Sequence, residues 1–472
     1  MAEEKLKREL GFRDVILFYI VSGLSLRWIA AAAAAGQSAI AVWVLAFCGF
    51  FLPLAGCVLE LSSRYPQEGG LYIWTREAYG EFAGFMAAWT YWMSNLPYFG
   101  AVLYFAASSL LFATPRAHHL ADVNAYFLIF TASMLTLITV LNVLGLNIGK
   151  WLNNLGAVGM ALPVLILIVL GSLSFFRFGS ATHFTWAGAI PQAHVRDLIF
   201  WSTIFFAFSG CECASFMGEE IKDARRVVPR ALVIAGVLIT AGYIAGTVAM
   251  LVALPMSSIT GLAGFMTAID FLCSRLGLAA LVAPVAILVG ISNVGAAAAY
   301  LSSTARLPFV AGINHYLPPV FGRIHRRWKT PYVAIISYGL AGILFGLLSQ
   351  AGTSVRGTYE LMVSMSLIAY FIPYLFVFAS MIRLQSRPYL PGAIRLPGGK
   401  RFAIPLACVG FFSTSAAIIL AMFPAEDERN PKTALFKLIA MTLVLLFAGV
   451  AVYWRGQRSI SRDAALAEGL AL

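Results

Sequence analysis

Long apolar runs separated by short polar segments organise this chain from end to end. A spanning helix needs about 20 mostly apolar residues. Twelve such runs can be read, over roughly 14–35, 38–60, 82–112, 123–145, 153–175, 198–218, 230–254, 278–303, 331–349, 358–382, 402–423 and 433–454. They predict an all-α polytopic membrane protein with twelve transmembrane helices. The first run carries Arg27, and the third is interrupted by Asn95 and Pro97. Residues 261–276 predict an amphipathic surface helix, too short to span. The start, MAEEKLKREL, is charged and leads straight into the first run, so no cleavable signal is expected. The tail after Trp454 is short and polar, and 1–472 is expected to form one transmembrane domain.

Composition turns this pattern into an exclusion. Hydrophobic residues make up 60% of the chain and charged residues 11%, with a mean hydropathy of +0.83. Soluble domains are roughly a quarter charged, so this chain needs lipid as solvent. Four or more of the six cysteines fall in apolar stretches, and Cys211 and Cys213 are too close for a zinc-type pair. Neither a disulfide framework nor a metal site is read from them. The six histidines all lie between apolar runs, which removes a histidine relay inside the membrane.

The net charge of +12 invites a nucleic-acid reading, but its distribution points elsewhere. Both termini and the alternate loops on their side hold 24 of the 33 lysines and arginines. The opposite side holds eight, and Arg27 is the remainder. Such a bias places both termini in the cytoplasm of a multi-pass cell-membrane protein, so no nucleic-acid partner is required. The chain has no GxxxxGK[ST] loop and no repeated selectivity filter. It also lacks the intramembrane histidines or paired aspartates that an embedded enzyme would use. A secondary transporter is the class that remains, with no cofactor and no enzymatic role expected.

Transporters often build their sites where helices break at matching positions of two inverted repeats. With repeats over 14–175 and 198–382, and two further helices over 402–454, spans 1 and 6 correspond. Span 1 reads Ile20-Val21-Ser22-Gly23-Leu24-Ser25, and span 6 reads Phe206-Ala207-Phe208-Ser209-Gly210-Cys211-Glu212. Each carries Ser-Gly near its middle. Glycine tolerates an unwound backbone and serine can bond the freed groups. A restarting helix aims free N–H groups and about half a positive charge at one spot, which suits a carboxylate. The carbonyl end of the preceding half suits an ammonium group. An α-amino acid presents both. The alternative is that Gly23 and Gly210 only allow close helix packing. The alanine runs 30–35 and 296–299 carry the same two readings.

Two charges lie deep in apolar runs, Arg27 and Glu212. Intramembrane ionisable groups are functional candidates, and the two are expected to meet as an ion pair that substrate or a proton can open. Arg27 snorkelling outward, or packing as fixed structure, are the alternatives. Since the two charges cancel, a zwitterionic amino acid is the expected substrate, with an acidic amino acid second. A coupling proton or a counter-substrate completes the partners of this class.

After span 2 the chain reads Glu60-Leu61-Ser62-Ser63-Arg64-Tyr65-Pro66-Gln67-Glu68-Gly69-Gly70-Leu71-Tyr72. Pro66 stops helical structure and Gly69-Gly70 make a tight turn. Arg64, Glu68 and Arg76 can pair across a cytoplasmic gate, or the loop is a solvated turn. Further on stand Gly218-Glu219-Glu220-Ile221-Lys222-Asp223, Arg306, Lys329-Thr330-Pro331 and Leu396-Pro397-Gly398-Gly399. In this order the motifs resemble the amino acid–polyamine–organocation superfamily of permeases, over nearly the whole chain.

That resemblance implies the leucine-transporter fold, two inverted five-helix repeats plus two helices working by alternating access. It also leaves a polyamine or other organocation open as cargo. The family's carboxylate-binding segment falls on Val21-Ser22-Gly23, followed by Leu24, with valine in place of the first glycine. The aromatic gate in the sixth helix falls on Phe206. Carbonyls at Phe206, Ala207 and Ser209, beside Gly210, would hold the amino group. Gly159 stands where some proton-coupled relatives carry a lysine.

Overall fold

A computed structural model of the chain describes residues 8–191, 195–255, 262–313, 316–349, 354–389, 392–422 and 431–469. The regular elements are α-helices: α1 Phe12–Gly23, α2 Leu26–Ala33, α3 Ser38–Ala46, α4 Leu52–Arg64, α5 Leu71–Tyr79, α6 Glu81–Leu110, α7 Asn124–Val143, α8 Leu146–Phe178, α9 Trp186–Ala189, α10 Val195–Phe206, α11 Ala224–Ala253, α12 Gly264–Leu276, α13 Val282–Thr304, α14 Arg306–Ile313, α15 Tyr332–Ser349, α16 Val355–Leu384, α17 Lys400–Ala421 and α18 Pro431–Gly469. Short 3₁₀ segments join several of them. One π-turn, Phe47–Phe51, connects α3 to α4.

Among the described residues, nine helices are long and apolar enough to cross a membrane. The α1–α2 pair, bent by 40°, makes a tenth. The sequence predicted twelve. Of the other two, 198–218 does not form one helix, because α10 stops at Phe206. The range 433–454 lies inside α18.

Helix α8 illustrates why these elements form. Leu155, Val158, Leu162, Leu165, Val169, Leu173 and Phe176 are exposed, and they recur at three- and four-residue steps along one face. Ala157, Met160, Val164, Leu167 and Leu170 are buried on the other. Both faces are apolar, so the outer one needs lipid. Exposed Trp151 and Trp186 suit the membrane interface.

Around the middle of the bundle, α1 packs on α11, α8 and α13, and α6 packs on α13 and α16. Helix α12, the expected surface helix, buries Phe265, Met266, Ile269 and Leu272 against its neighbours. Position 261, where the predicted helix begins, lies outside the described residues, and 262–263 form a turn before α12.

Candidate functional site

Two helix breaks meet at the centre of this packing. Helix α1 ends at Gly23. Leu24 and Ser25 are extended, with ψ of 129° and 120°, before α2 begins. Beyond Phe206 the amides of Ala207, Phe208 and Ser209 bond three residues back, and Gly210 turns the chain at φ +102°. No α-helix follows before Ala224; the 3₁₀ turn Cys213–Met217 takes its place.

The breaks touch. A Cβ on Gly210 would lie 2.8 Å from the Ser22 carbonyl oxygen and 2.6 Å from the Tyr300 hydroxyl. Positive φ and this approach together require glycine there. Gly23 is less confined, since a Cβ would meet only the flexible end of Ile239 within 3 Å. Ser22, Gly23, Ser209 and Gly210 are thus brought together. A small cavity lined by Gly23, Ser209, Tyr19, Phe51, Phe208 and Ile239 adjoins them.

A tyrosine staples the breaks to each other. The Tyr243 hydroxyl of α11 lies 2.8 Å from the Gly23 carbonyl and 2.9 Å from the Ala207 carbonyl, either of which can accept its proton. It accepts the Ser25 amide at 3.0 Å. Its ring stacks on Trp43 with centroids 4.4 Å apart. Tyr300 of α13 donates to the Ser22 carbonyl at 2.9 Å. The Ser22 hydroxyl bonds back to the Phe18 carbonyl at 2.8 Å, within its own helix. At this position the backbone, not the serine side chain, faces span 6.

Glu212 is fully buried just beyond Gly210. It accepts from the hydroxyl of Tyr91 of α6, from Tyr374 of α16 at 2.9 Å and from the Gly210 amide at 3.2 Å. Tyr91 also meets Tyr370 at 2.8 Å, oxygen to oxygen. These donors, with the Cys213 thiol at 4.0 Å, hold the carboxylate in place.

Arg27 stands on the other side of the break, 5% exposed. Its guanidinium covers Trp28 at 4.5 Å and Tyr98 at 5.2 Å. Trp28 in turn meets Phe206 edge-on at 5.8 Å. The Nε and Nη1 of Arg27 have no hydrogen-bond acceptor. The expected Arg27–Glu212 ion pair is not formed: tyrosine hydroxyls and a backbone amide satisfy the acid, and aromatic faces cover the base.

The expected Arg64–Glu68–Arg76 pairing is replaced as well. Arg64 donates to the carbonyls of Leu384, Arg387 and Pro388 at 2.8–3.1 Å and so ties the end of α16 to α4. Arg76 lies near Glu77 and Glu81 at the surface. Glu68 turns instead to Arg306, which lies 3.9 Å away and forms a two-pronged pair with Glu220 at 2.9 and 3.0 Å. Glu68 also accepts the Glu219 amide at 3.0 Å. All three charged groups are at most 5% exposed.

Burial pushes the Glu68 carboxyl well above the usual range, and the Glu220 carboxylate pushes the same way. Arg306 and the Glu219 amide pull against them. Gly69 and Gly70, at φ +105° and +45°, seat this loop under Ser215 and Phe216. Glu9 and Leu10 donate to the Glu220 carbonyl, which pins the N-terminal segment to the cluster.

Sequence reading passed over Tyr243, Tyr91, Tyr300 and Tyr374. Their signal was position: tyrosine gathers at the membrane interface, and these stand inside apolar runs, where a buried hydroxyl needs a partner.

Comparison with known proteins settles the class. The amino acid permease family matches residues 10–447. The chain belongs to that family. An uncharacterized transporter of Legionella pneumophila is 25% identical over 93% of this chain and 95% of its own. A probable agmatine/putrescine antiporter of Lactococcus lactis is 21% identical, covering 88% of each chain. A serine/threonine exchanger of Bacillus subtilis is 28% identical over 70% of this chain and 74% of its own. This permease is a multi-pass membrane protein of the amino acid permease family. Its all-helical fold accords with that membership.

Proposed function

We propose that this permease carries amino acids across the cell membrane as a secondary transporter working by alternating access. The observation that carries this reading is the meeting of two broken helices at Gly23 and Gly210, stapled by Tyr243. The restarting α2 offers the amides of Leu26 and Arg27 to an α-carboxylate, the Trp28 amide being bonded to the Ser25 carbonyl. The carbonyl end of α10 and the buried Glu212 draw the ammonium group. Phe206, edge-on to Trp28, covers the site as its aromatic gate. The Arg306–Glu220–Glu68 cluster, with Gly69 and Gly70 seating its loop, is the gate at the cytoplasmic end, where both termini lie.

The test is uptake of a labelled amino acid panel in proteoliposomes, with and without internal amino acid. Uptake should depend on a gradient or on counter-substrate. Gly23→Leu and Gly210→Leu should abolish it while the proteins still insert. Normal transport by both variants would refute the assigned site. For orientation, a thiol reagent outside intact cells should reach a cysteine at position 356 and miss one at 395; the reverse pattern would invert the topology.

A further inference from the structure

Arg27 and Glu212 are the two charges beside the breaks, and the structure treats them unequally. Glu212 receives hydrogen bonds from Tyr91, Tyr374 and the Gly210 amide, with the Cys213 thiol at 4.0 Å. Arg27, 95% buried, keeps two donor nitrogens without an acceptor. Glu60, Glu68 and Glu220 are engaged elsewhere, with Gln385 and Tyr389 or with Arg306. Among the described residues no carboxylate lies within ion-pairing distance of Arg27. Ring faces attract its charge but accept no N–H in the guanidinium plane.

A guanidinium presents its donors as a fork that fits a carboxylate. This fork lies in the first turn of α2, beyond the extended Leu24 and Ser25, against Trp28 and Tyr98, and Tyr98 packs 4.5 Å from Tyr300 at the same break. A group bound at the α2 amides by its α-carboxylate therefore has a second cationic contact within a side chain's reach. A polyamine would instead meet an uncompensated positive charge.

Resting on the amino acid site proposed above, we infer that Arg27 receives the side-chain carboxylate of the substrate, so that the preferred cargo is an acidic amino acid. The two charges do not pair with each other: Glu212 takes its hydrogen bonds from tyrosines and an amide and remains an anion for the ammonium group, while two nitrogens of Arg27 are left for a second carboxylate.

The test uses the full chain in proteoliposomes, with labelled L-glutamate, L-aspartate, L-serine, L-leucine and putrescine. The acidic pair should be taken up in preference to the neutral pair, and unlabelled glutamate should compete with every transported substrate. Charge-assisted hydrogen bonds of this kind set a preference of about 10- to 100-fold. Arg27→Gln should lower the acidic-to-neutral uptake ratio by about that factor, and Arg27→Lys by less. Competition on the unaltered protein decides the matter should Arg27→Gln not fold. Uptake of neutral amino acids or putrescine with no uptake of, or competition by, glutamate and aspartate overturns the inference and leaves the transporter reading intact. An unmoved ratio in a folded Arg27→Gln protein overturns it as well. Uptake of no amino acid at all would remove the proposed function itself.

Discussion

Two buried arginines divide this protein into regions of different kind. Arg306 sits at the end of α13 with every nitrogen engaged, by Glu220, Glu68 and the Ser302 carbonyl. Arg27 sits at the start of α2 with two nitrogens open. Desolvating a guanidinium costs several kcal/mol, and partners are what offset that cost. The first region therefore supplies its own partners, and its charges hold the fold. The second covers its charge with two aromatic faces and leaves two donor nitrogens without acceptors beside two helix breaks, which is what the proposed carboxylate contact rests on.

The largest expected effect tests the first half of this contrast. Arg306→Gln leaves Glu68 and Glu220 buried beside a neutral group and should destabilise the protein by ~3–5 kcal/mol. Replacing all three by apolar residues of similar size should recover most of that loss. Thermal unfolding in detergent measures both, and a stable Arg306→Gln protein would end the claim that this region is self-satisfied.

The next effect lies at the breaks. Gly210→Ala forces a side chain into positive φ and against the Ser22 carbonyl, at about 1–3 kcal/mol. Gly23→Ala should cost less than ~1 kcal/mol, because the end of Ile239 can give way. Equal losses in unfolding temperature would show that the two breaks are not built differently.

Arg27→Gln should move stability the other way. A mid-membrane arginine costs roughly 2.5–3.5 kcal/mol on insertion scales, and its two ring contacts return ~0.5–2 kcal/mol. Without substrate the variant should therefore unfold at a higher temperature than the parent. A lower unfolding temperature would mean that Arg27 is a structural group like Arg306.

The smallest effect concerns pH. The raised Glu68 carboxyl holds its proton at pH values where an ordinary glutamate has lost it. The packed arrangement around Arg306 therefore gains stability as pH falls through that raised value and loses it as pH rises. Hydrogen exchange of residues 65–70 and 216–222, relative to Glu68→Gln at each pH, should speed up with rising pH. A constant ratio would show that Glu68 does not titrate there.

Much of this protein followed from the sequence alone. Apolar runs of spanning length fix an all-helical membrane protein, because backbone groups in lipid must be satisfied within the segment. Ser-Gly at the middle of spans 1 and 6 marked Ser22, Gly23, Ser209 and Gly210, since glycine there weakens a helix whatever surrounds it. What only the tertiary structure decided is who partners whom. Arg27 and Glu212 looked complementary along the chain, yet Tyr91 and Tyr374 of distant helices reached the acid first. Glu68 looked placed for Arg64, four residues away, and met Arg306 across the bundle. Tyr243 gave no sign of joining both breaks. A sequence states which groups are charged and where a helix is weak. Which donor fills which acceptor depends on packing between segments hundreds of residues apart, and at this site that packing leaves two nitrogens of Arg27 without an acceptor.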